Sequence, residues 1–368
     1  MFRSVRFYSL VSPWPESEQE LSEKLFNAAF KPCGPYVERS SGFEPPVGER
    51  HGLLARRVGG ADLLRLRSQV RVLPAAALNE ALEVRLDEYR ARMQEEPGRR
   101  TKRQLKEQTR DDLLPKALVK SERTNALVIL SERVLAIDTA SETRAERFLE
   151  QLRAALGGLE VKPLEFKRPF GEHLTQVFAG GAPREFILAR ECRMRELSDE
   201  KGTVRWQNVD LAHATVRQCL DDGMELTHLQ FEFGNVLSAV LDAKGVLTKM
   251  SLLGLEDAPK AATPEEKLAE QDAEIALLSG TLRQLVLGLR QSLGGEAAAA
   301  GAAARRPSGH QVIGTAAIPA PLAHDAASAG GSTHEHGSID GSIDAAIDAQ
   351  DGTATPSGPP AAELHTGA

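Results

Sequence analysis

The chain has 368 residues, 41% hydrophobic and 26% charged, with a formal net charge of −7. Those values fit a soluble globular protein of two or three domains. No apolar run reaches the roughly 18 residues that a membrane-spanning helix needs, Met1–Pro15 lacks the apolar stretch of a secretory signal, and the scattered Cys33, Cys192 and Cys219 exclude a disulfide framework or zinc spacing and suit a reducing cytoplasm.

Val5, Phe7 and Leu10 read as a short strand. Ser17–Phe30 reads as a helix with Leu21, Leu25, Phe26 and Ala29 on one face, ended by Pro32, Gly34 and Pro35. Leu53–Val58 and Leu63–Val72 read as strands split by Gly59-Gly60-Ala61-Asp62, a hairpin signal. Arg65, Arg67 and Arg71 share one side of the second strand, the solvent side if the sheet is covered on one face only. Of the adjacent Arg56 and Arg57, only one can share that side.

The next segment, Ala75–Gln94, carries Leu78, Leu82, Leu86, Tyr89 and Met93 at helical spacing. Pro97-Gly98 breaks it, and Thr101 can cap a second helix over Lys102–Leu114. The two make a helical hairpin. Ala126–Asp138 reads as a strand pair, and Ser141 caps a helix that runs to Leu156 and ends at Gly157-Gly158. Phe186–Leu188, Thr203–Gln207, Leu226–Phe233, Val236–Asp242 and Val246–Leu253 read as short strands, with a helix at Asp210–Asp221. Leu268–Leu293 is a last amphipathic helix bearing Leu278, Leu282, Leu285 and Leu289. Strands and helices mix without strict alternation, so the fold class is α+β with mixed or antiparallel sheets. From about Ala297 onward the chain is Ala, Gly, Ser, Pro and Asp with seven acids and two arginines, a net −5. It also holds a Gly-Ser-Ile-Asp duplication at Gly337–Asp344. A disordered acidic tail is expected there.

Signatures of catalysis are missing. Gly59-Gly60 and Gly180-Gly181 lack the Lys-Ser/Thr of a phosphate loop, and no Gly-x-Ser-x-Gly elbow occurs. His51, His173, His213 and His228 are far apart in sequence. Asp210 with His213, Glu225 and Glu232 around His228, His334 with His336, Asp111-Asp112 and Asp221-Asp222 all fit capping or solvated roles better than metal ligation. The expectation is no enzyme, no cofactor and no metal.

One charge concentration stands out. Between Arg99 and Arg123 lie nine Lys or Arg residues against four acids, in an acidic chain. Such a cluster usually marks a surface for a polyanion. The plainer alternative is a solvated helix face with internal pairs such as Arg103 with Glu107.

Six stretches carry a resemblance: Ala29-Phe30-Lys31-Pro32-Cys33-Gly34, Gly42-Phe43-Glu44-Pro45-Pro46-Val47-Gly48, Leu73-Pro74, Leu113-Leu114-Pro115-Lys116-Ala117, Asp138-Thr139-Ala140-Ser141 with Ala145-Glu146, and Leu293-Gly294-Gly295-Glu296-Ala297. In order and spacing they resemble the bacterial recombination-associated RdgC family over residues 1 to about 297.

The resemblance implies a non-enzymatic, nucleoid-associated protein of the cytoplasm. It binds duplex DNA with little sequence preference and opposes RecA-driven strand exchange; single-stranded DNA stays open as a second ligand. It implies a curved subunit with a projecting helical hairpin, two of which close into a ring-shaped dimer with a basic hole. The matching division is a central region, 1–74 and 124–165, a helical tip, 75–123, and a base with the last helix, 166–296, followed by the tail, 297–368. DNA contacts are expected at Arg56, Arg65, Arg67, Arg99, Arg100, Lys102, Arg103, Lys106, Lys116, Lys120 and Arg205. Subunit contacts are expected at Leu118 and Val119 on the tip and at Leu282 and Leu285 on the base; the plainer alternative for Leu118 and Val119 is that they enter the strand that runs on to Ile129. Two departures stand out. The run after Arg205, Trp206-Gln207-Asn208-Val209-Asp210-Leu211, lacks the family's basic pair, and Leu118 stands where some members carry an aromatic residue. The competing reading is a protein–protein regulator that acts on a recombinase directly.

Overall fold

β1 (Arg6–Leu10) enters a seven-stranded sheet. α1 (Glu18–Phe26) follows, capped by Ser17, whose hydroxyl accepts the Glu20 N–H at 3.1 Å. Next come β2 (Arg39–Phe43), β3 (Ala55–Val58) and β4 (Ala61–Val72). Gly59 and Gly60 form the turn between the last two at φ 59° and 78°, the left-handed region that such two-residue turns require. α2 (Ala75–Met93) and α3 (Arg99–Leu113) separate β4 from β5 (Leu118–Ile129). β6 (Val134–Ile137), α4 (Glu142–Leu156) and β7 (Val161–Pro163) complete this half. The strand order is β2-β4-β5-β6-β1-β7, with β3 on β4, and all pairs are antiparallel.

α5 (Phe170–Ala179), β8 (Phe186–Glu196), β9 (Thr203–Gln207) and α6 (Ala214–Asp221) follow. Then come β10 (Met224–Phe233), β11 (Leu237–Asp242), β12 (Leu247–Leu252) and α7 (Pro264–Ser292). The second sheet is antiparallel in the order β12-β11-β10-β8-β9. A bridge between Val5 and Leu247 ties the two sheets. This computed structural model describes residues 2–47, 52–181, 183–196, 202–254 and 263–297, which fall in one compact unit of class α+β. The disorder expected beyond Ala297, His334 with His336 and the position of His51 lie outside the described residues.

Two apolar clusters hold the first sheet from both sides. Phe7, Leu63, Leu127, Ile129, Val134 and Ala136 join a core shared with the second sheet, α5 and α7. Tyr8, Leu64, Ala126, Val128, Leu135 and Ile137 face α1 and α4 instead. This explains why Ala126–Ile129 and Val134–Ile137 read as continuous apolar runs: strands covered on both faces lose the polar alternation.

Several boundaries move. α1 stops at Phe26, not Phe30, because Ala29 and Phe30 are drawn into bridges with Phe43. Phe26 is therefore exposed and off the buried face. α3 begins at Arg99 behind Gly98, so Thr101 is inside the helix rather than its cap. His213, not Asp210, caps α6; the Asp210 carboxylate accepts the Ala212 N–H instead. β5 starts at Leu118, eight residues before the apolar run, since polar residues fill its first half. β2 and β7 carry no periodic signal strong enough to be read, and α5 goes unread between Pro169 and Gly180 although its apolar residues are helically spaced.

Candidate nucleic-acid interface

β4 and β5 pair over their whole lengths, from Ala61 opposite Ile129 to Val72 opposite Leu118. Their outer halves differ from their inner halves. β6 pairs only with Ala126–Ile129, and β2 only with Leu66–Val70. Residues 118–125 of β5 therefore leave the buried sheet beside β4 alone and carry α2 and α3 at their end.

α2 and α3 pack on one another through the buried Leu86, Pro97 and Thr109, and an ion pair joins Arg85 to Asp112. Of the predicted stripe, only Leu86 is buried; Met93 is exposed. Arg71 ties the junction down. Its guanidinium donates to the carbonyls of Cys33, Gly34, Leu114, Pro115 and Ala117 at 2.9–3.3 Å. The chain thus leaves β4 and returns to β5 around one cation.

Two kinds of cation result. On α3, Arg99, Arg103, Lys106 and Arg110 fall at helical spacing on one side, and Arg100 and Lys102 flank them. Arg99, Arg100, Lys102, Arg103, Lys106, Lys116 and Lys120 are all exposed. Arg103 meets Glu107 at 3.2 Å and Lys120 meets Glu122 at 3.0 Å. For Arg99, Arg100, Lys102, Lys106 and Lys116 no ion pair is found among the described residues.

The strand arginines are held by the fold. Arg56 pairs with Asp272 at 2.5 Å and fastens β3 to α7; that hydrogen bond raises its pKa. Arg65 donates to the Asn125 side-chain oxygen at 2.9 Å, and burial lowers its pKa. Arg67 lies 4.5 Å from the Phe30 ring centre and 3.5 Å from the Glu44 carboxylate. Arg205 meets Glu191 at 2.8 Å, and Lys249 reaches the same carboxylate at 2.5 Å. Burial alone would raise the Glu191 pKa, but the bonds from Lys249 and Arg205 outweigh it and the net shift is downward. The side of β4 that holds Arg65, Arg67 and Arg71 is half-buried, not open to solvent, because Phe30, Glu44 and Asn125 lie against it.

The expected subunit contacts also divide. Leu118 is 81% exposed and Val119 43%, with Val72 across the ladder also exposed. Leu282 and Leu285 are 0% exposed: they point into the chain's own core and offer no surface to a second subunit. The amphipathic pattern of α7 located its buried face; a residue buried at home is not a contact. Past Arg205, Asn208 ends β9 at φ 55°.

Sequence reasoning missed three cations. On the face of the ribbon opposite Arg67, Lys120 lies beside Arg39 of β2 and beside Arg144 and Arg147 of α4. Arg39 is directly opposite Val70, which is opposite Lys120, so all three share one face. The signal was present as Arg144 and Arg147 three residues apart, but α4 read simply as an amphipathic core helix.

Among the described residues, no group of three or more His, Cys, Asp or Glu is placed to hold a metal ion. A family model described as "Putative exonuclease, RdgC" matches residues 1–296. The chain belongs to the RdgC family. Curated relatives named "Recombination-associated protein RdgC" agree. That of Pseudoalteromonas atlantica is 28% identical over 76% of this chain and 93% of its own length. That of Shewanella oneidensis is 28% identical over 80% and 97%. That of Stenotrophomonas maltophilia is 31% identical over 79% and 97%. Recombination association is thus the family's named role, and the RdgC match covers both sheets and α7 but not the tail.

Proposed function

We propose that this RdgC-family chain is a non-enzymatic binder of double-stranded DNA that reads the phosphate backbone rather than the bases. The exposed cation row of α3 carries the reading. Arg103 and Arg110 of that row meet Glu107 and Glu38, but Arg99, Arg100, Lys102 and Lys106 have no ion pair among the described residues and can exchange their counterions for phosphates; such contacts hold register and affinity without a base code.

The same reading takes the protein to be a homodimer that encircles the duplex at the nucleoid and opposes RecA-driven strand exchange. The exposed Leu118, Val119 and Val72 support a contact at the end of the ribbon, an apolar centre framed by Lys116 and Lys120. Such a geometry hinders RecA by occupying its substrate and needs no contact with RecA itself.

Duplex affinity measured against salt, with no recombinase present, tests the reading. Neutralising about six to ten phosphates makes affinity fall about a thousandfold or more between roughly 50 and 200 mM salt. Unrelated sequences of equal length are expected to bind equally. A flat salt response, or binding only when RecA is present, would overturn it in favour of a direct recombinase regulator.

A further inference from the structure

The ribbon and α4 enclose a groove of about 220 Å³ on the face away from Arg67. Its rim holds Arg39, Lys120, Arg144 and Arg147; its floor includes Leu66 and Val70. One acid, Glu122, lies among them. It meets Lys120 at 3.0 Å and Arg144 at 3.2 Å. The Lys120 hydrogen bond is the main cause of its lowered pKa, so Glu122 stays ionised and holds both cations at the rim. The lining therefore keeps an excess of three positive charges.

The placement of those charges is unfavourable by itself. Arg144 is in the first turn of α4 and Arg147 begins the second, so both add positive charge near the positive end of a fifteen-residue helix. Helices normally place acids there, and Glu142 is the only one in the first turn. An anion in the groove would meet the two arginines, Arg39 and Lys120 together. Arg39 comes from β2, Lys120 from β5 and the arginines from α4, so three separate elements converge on one point. Convergence of this kind does not follow from the solvation of a single helix face.

We infer that this groove binds the phosphodiester backbone of nucleic acid, as a second contact strip apart from α3. The inference rests on the DNA-binding reading given above and adds a site to it. Arg144 and Arg147 supply paired N–H donors to the phosphate oxygens. Lys120 and Arg39 approach from the strand side, with Glu122 fixing the rim. The Ser68 and Thr124 hydroxyls lie between Leu66 and the rim and add polar groups that carry no charge.

The test uses the full chain and a fluorescent duplex. The Arg144→Gln/Arg147→Gln variant is compared with wild type and with Arg217→Gln, a control on α6. The slope of log affinity against log salt is expected to become shallower by about one to two in the double variant, with the control unchanged. The independent pair Arg39→Gln/Lys120→Gln, exposed on the strands, is expected to lower the slope likewise and covers the case in which the α4 variant fails to fold. Wild-type binding with an unaltered slope in both folded variants overturns the groove while leaving the DNA reading standing. Absence of duplex binding by wild type overturns both. A free-anion arm adds millimolar inorganic phosphate: if phosphate raises the wild-type melting temperature but not that of the α4 variant, and duplex slopes are equal, the site takes a small anion and the nucleic-acid assignment fails.

Discussion

Val72 and Leu118 are directly opposite one another at the last rung of the β4–β5 ladder, and both are exposed although both are large and apolar. A β-strand end that presents an apolar pair, with Val119 next in line and Lys116 and Lys120 on either side, is a surface that gains by being covered. Replacing Leu118 by Asp is expected to leave the fold intact, since the side chain packs on little. In a tip contact between subunits it would bury an unpaired charge at a cost of a few kcal/mol, roughly. Retention on closed circular DNA is then expected to fall more than affinity for a short linear duplex. Equal retention by the folded variant and wild type would take Leu118 out of any contact.

Arg71 is expected to matter for stability rather than for DNA. It donates to five carbonyls at the junction of β2, α3 and β5. Hydrogen bonds from a charged donor contribute about 1.5–3 kcal/mol each and do not add. Arg71→Met is therefore expected to cost roughly 3 kcal/mol or more, read as a drop in urea midpoint, with faster amide exchange concentrated in residues 114–120. A salt slope for DNA equal to wild type would accompany it.

Buried His173 sets an acid limit. It is 1% exposed, its ring edge-on to Phe186 at 4.6 Å, and neither ring nitrogen has a hydrogen-bond partner among the described residues. Burial, with a smaller push from Arg168, lowers its pKa to about 4 from 6.5. The unfolded chain therefore binds the extra proton first, and this stability is present above pH 6.5 and lost as pH falls toward 4. The full loss is about 3 kcal/mol by linkage. Unfolding free energy measured at pH 7 and pH 4.5 is expected to differ less in His173→Phe than in wild type. Identical pH dependence would show that the histidine is protonated in the fold.

Gly42 allows β2 to reach the chain after α1. A Cβ built there would lie 2.4 Å from the Phe30 Cα and 2.5 Å from its nitrogen, both backbone atoms. Phe30 N–H and Phe43 N–H donate across this contact to the Phe43 and Ala28 carbonyls, each at 2.8 Å. Gly42→Ala is expected to cost about 3 kcal/mol, because the backbone must separate and these bonds lengthen. Arg67 would lose its Phe30 platform as well, so a fall in thermal midpoint with altered near-ultraviolet dichroism is the readout.

Nuclease assays decide the enzymatic question raised by the family description. Linear duplex incubated with the full chain and magnesium or manganese is expected to stay intact on a denaturing gel. Progressive shortening that survives further purification would reverse that reading.

The sequence was most legible where one period dominated. α2, α4 and α7 are placed within a few residues because their apolar spacing is helical, and α4 also carries Ser141 and Gly157 at its ends. The first half of β5 does not read as strand from composition because Lys120, Ser121, Glu122 and Arg123 are a polar run; the pairing with β4 makes them one. α5 was missed between Pro169 and Gly180, although its buried Phe170, Leu174, Val177 and Phe178 follow helical spacing. At the candidate interface, the exposed α3 row was readable as a count of charges. The capture of Arg56 by Asp272 was not, since 216 residues separate them. Nor was the convergence of Arg39 with Arg144, which depends on which strand lies beside which helix. Leu282 and Leu285 show the opposite failure: an apolar stripe says that a face is buried but not in whose interior.

The ladder that carries α2 and α3 also fixes how the molecule responds to load. A pull on those helices runs along the axes of β4 and β5. It strains the β2–β4 and β5–β6 hydrogen bonds side by side, in shear, rather than opening them one at a time. Because the inner halves of the same strands are clamped between two apolar clusters, the arm is stiff where it is rooted and yields first at its last two rungs, Arg71 opposite Val119 and Val72 opposite Leu118, where β4 and β5 pair without β2. Any tension transmitted through the helices is expected to part these rungs before it disturbs the sheet below.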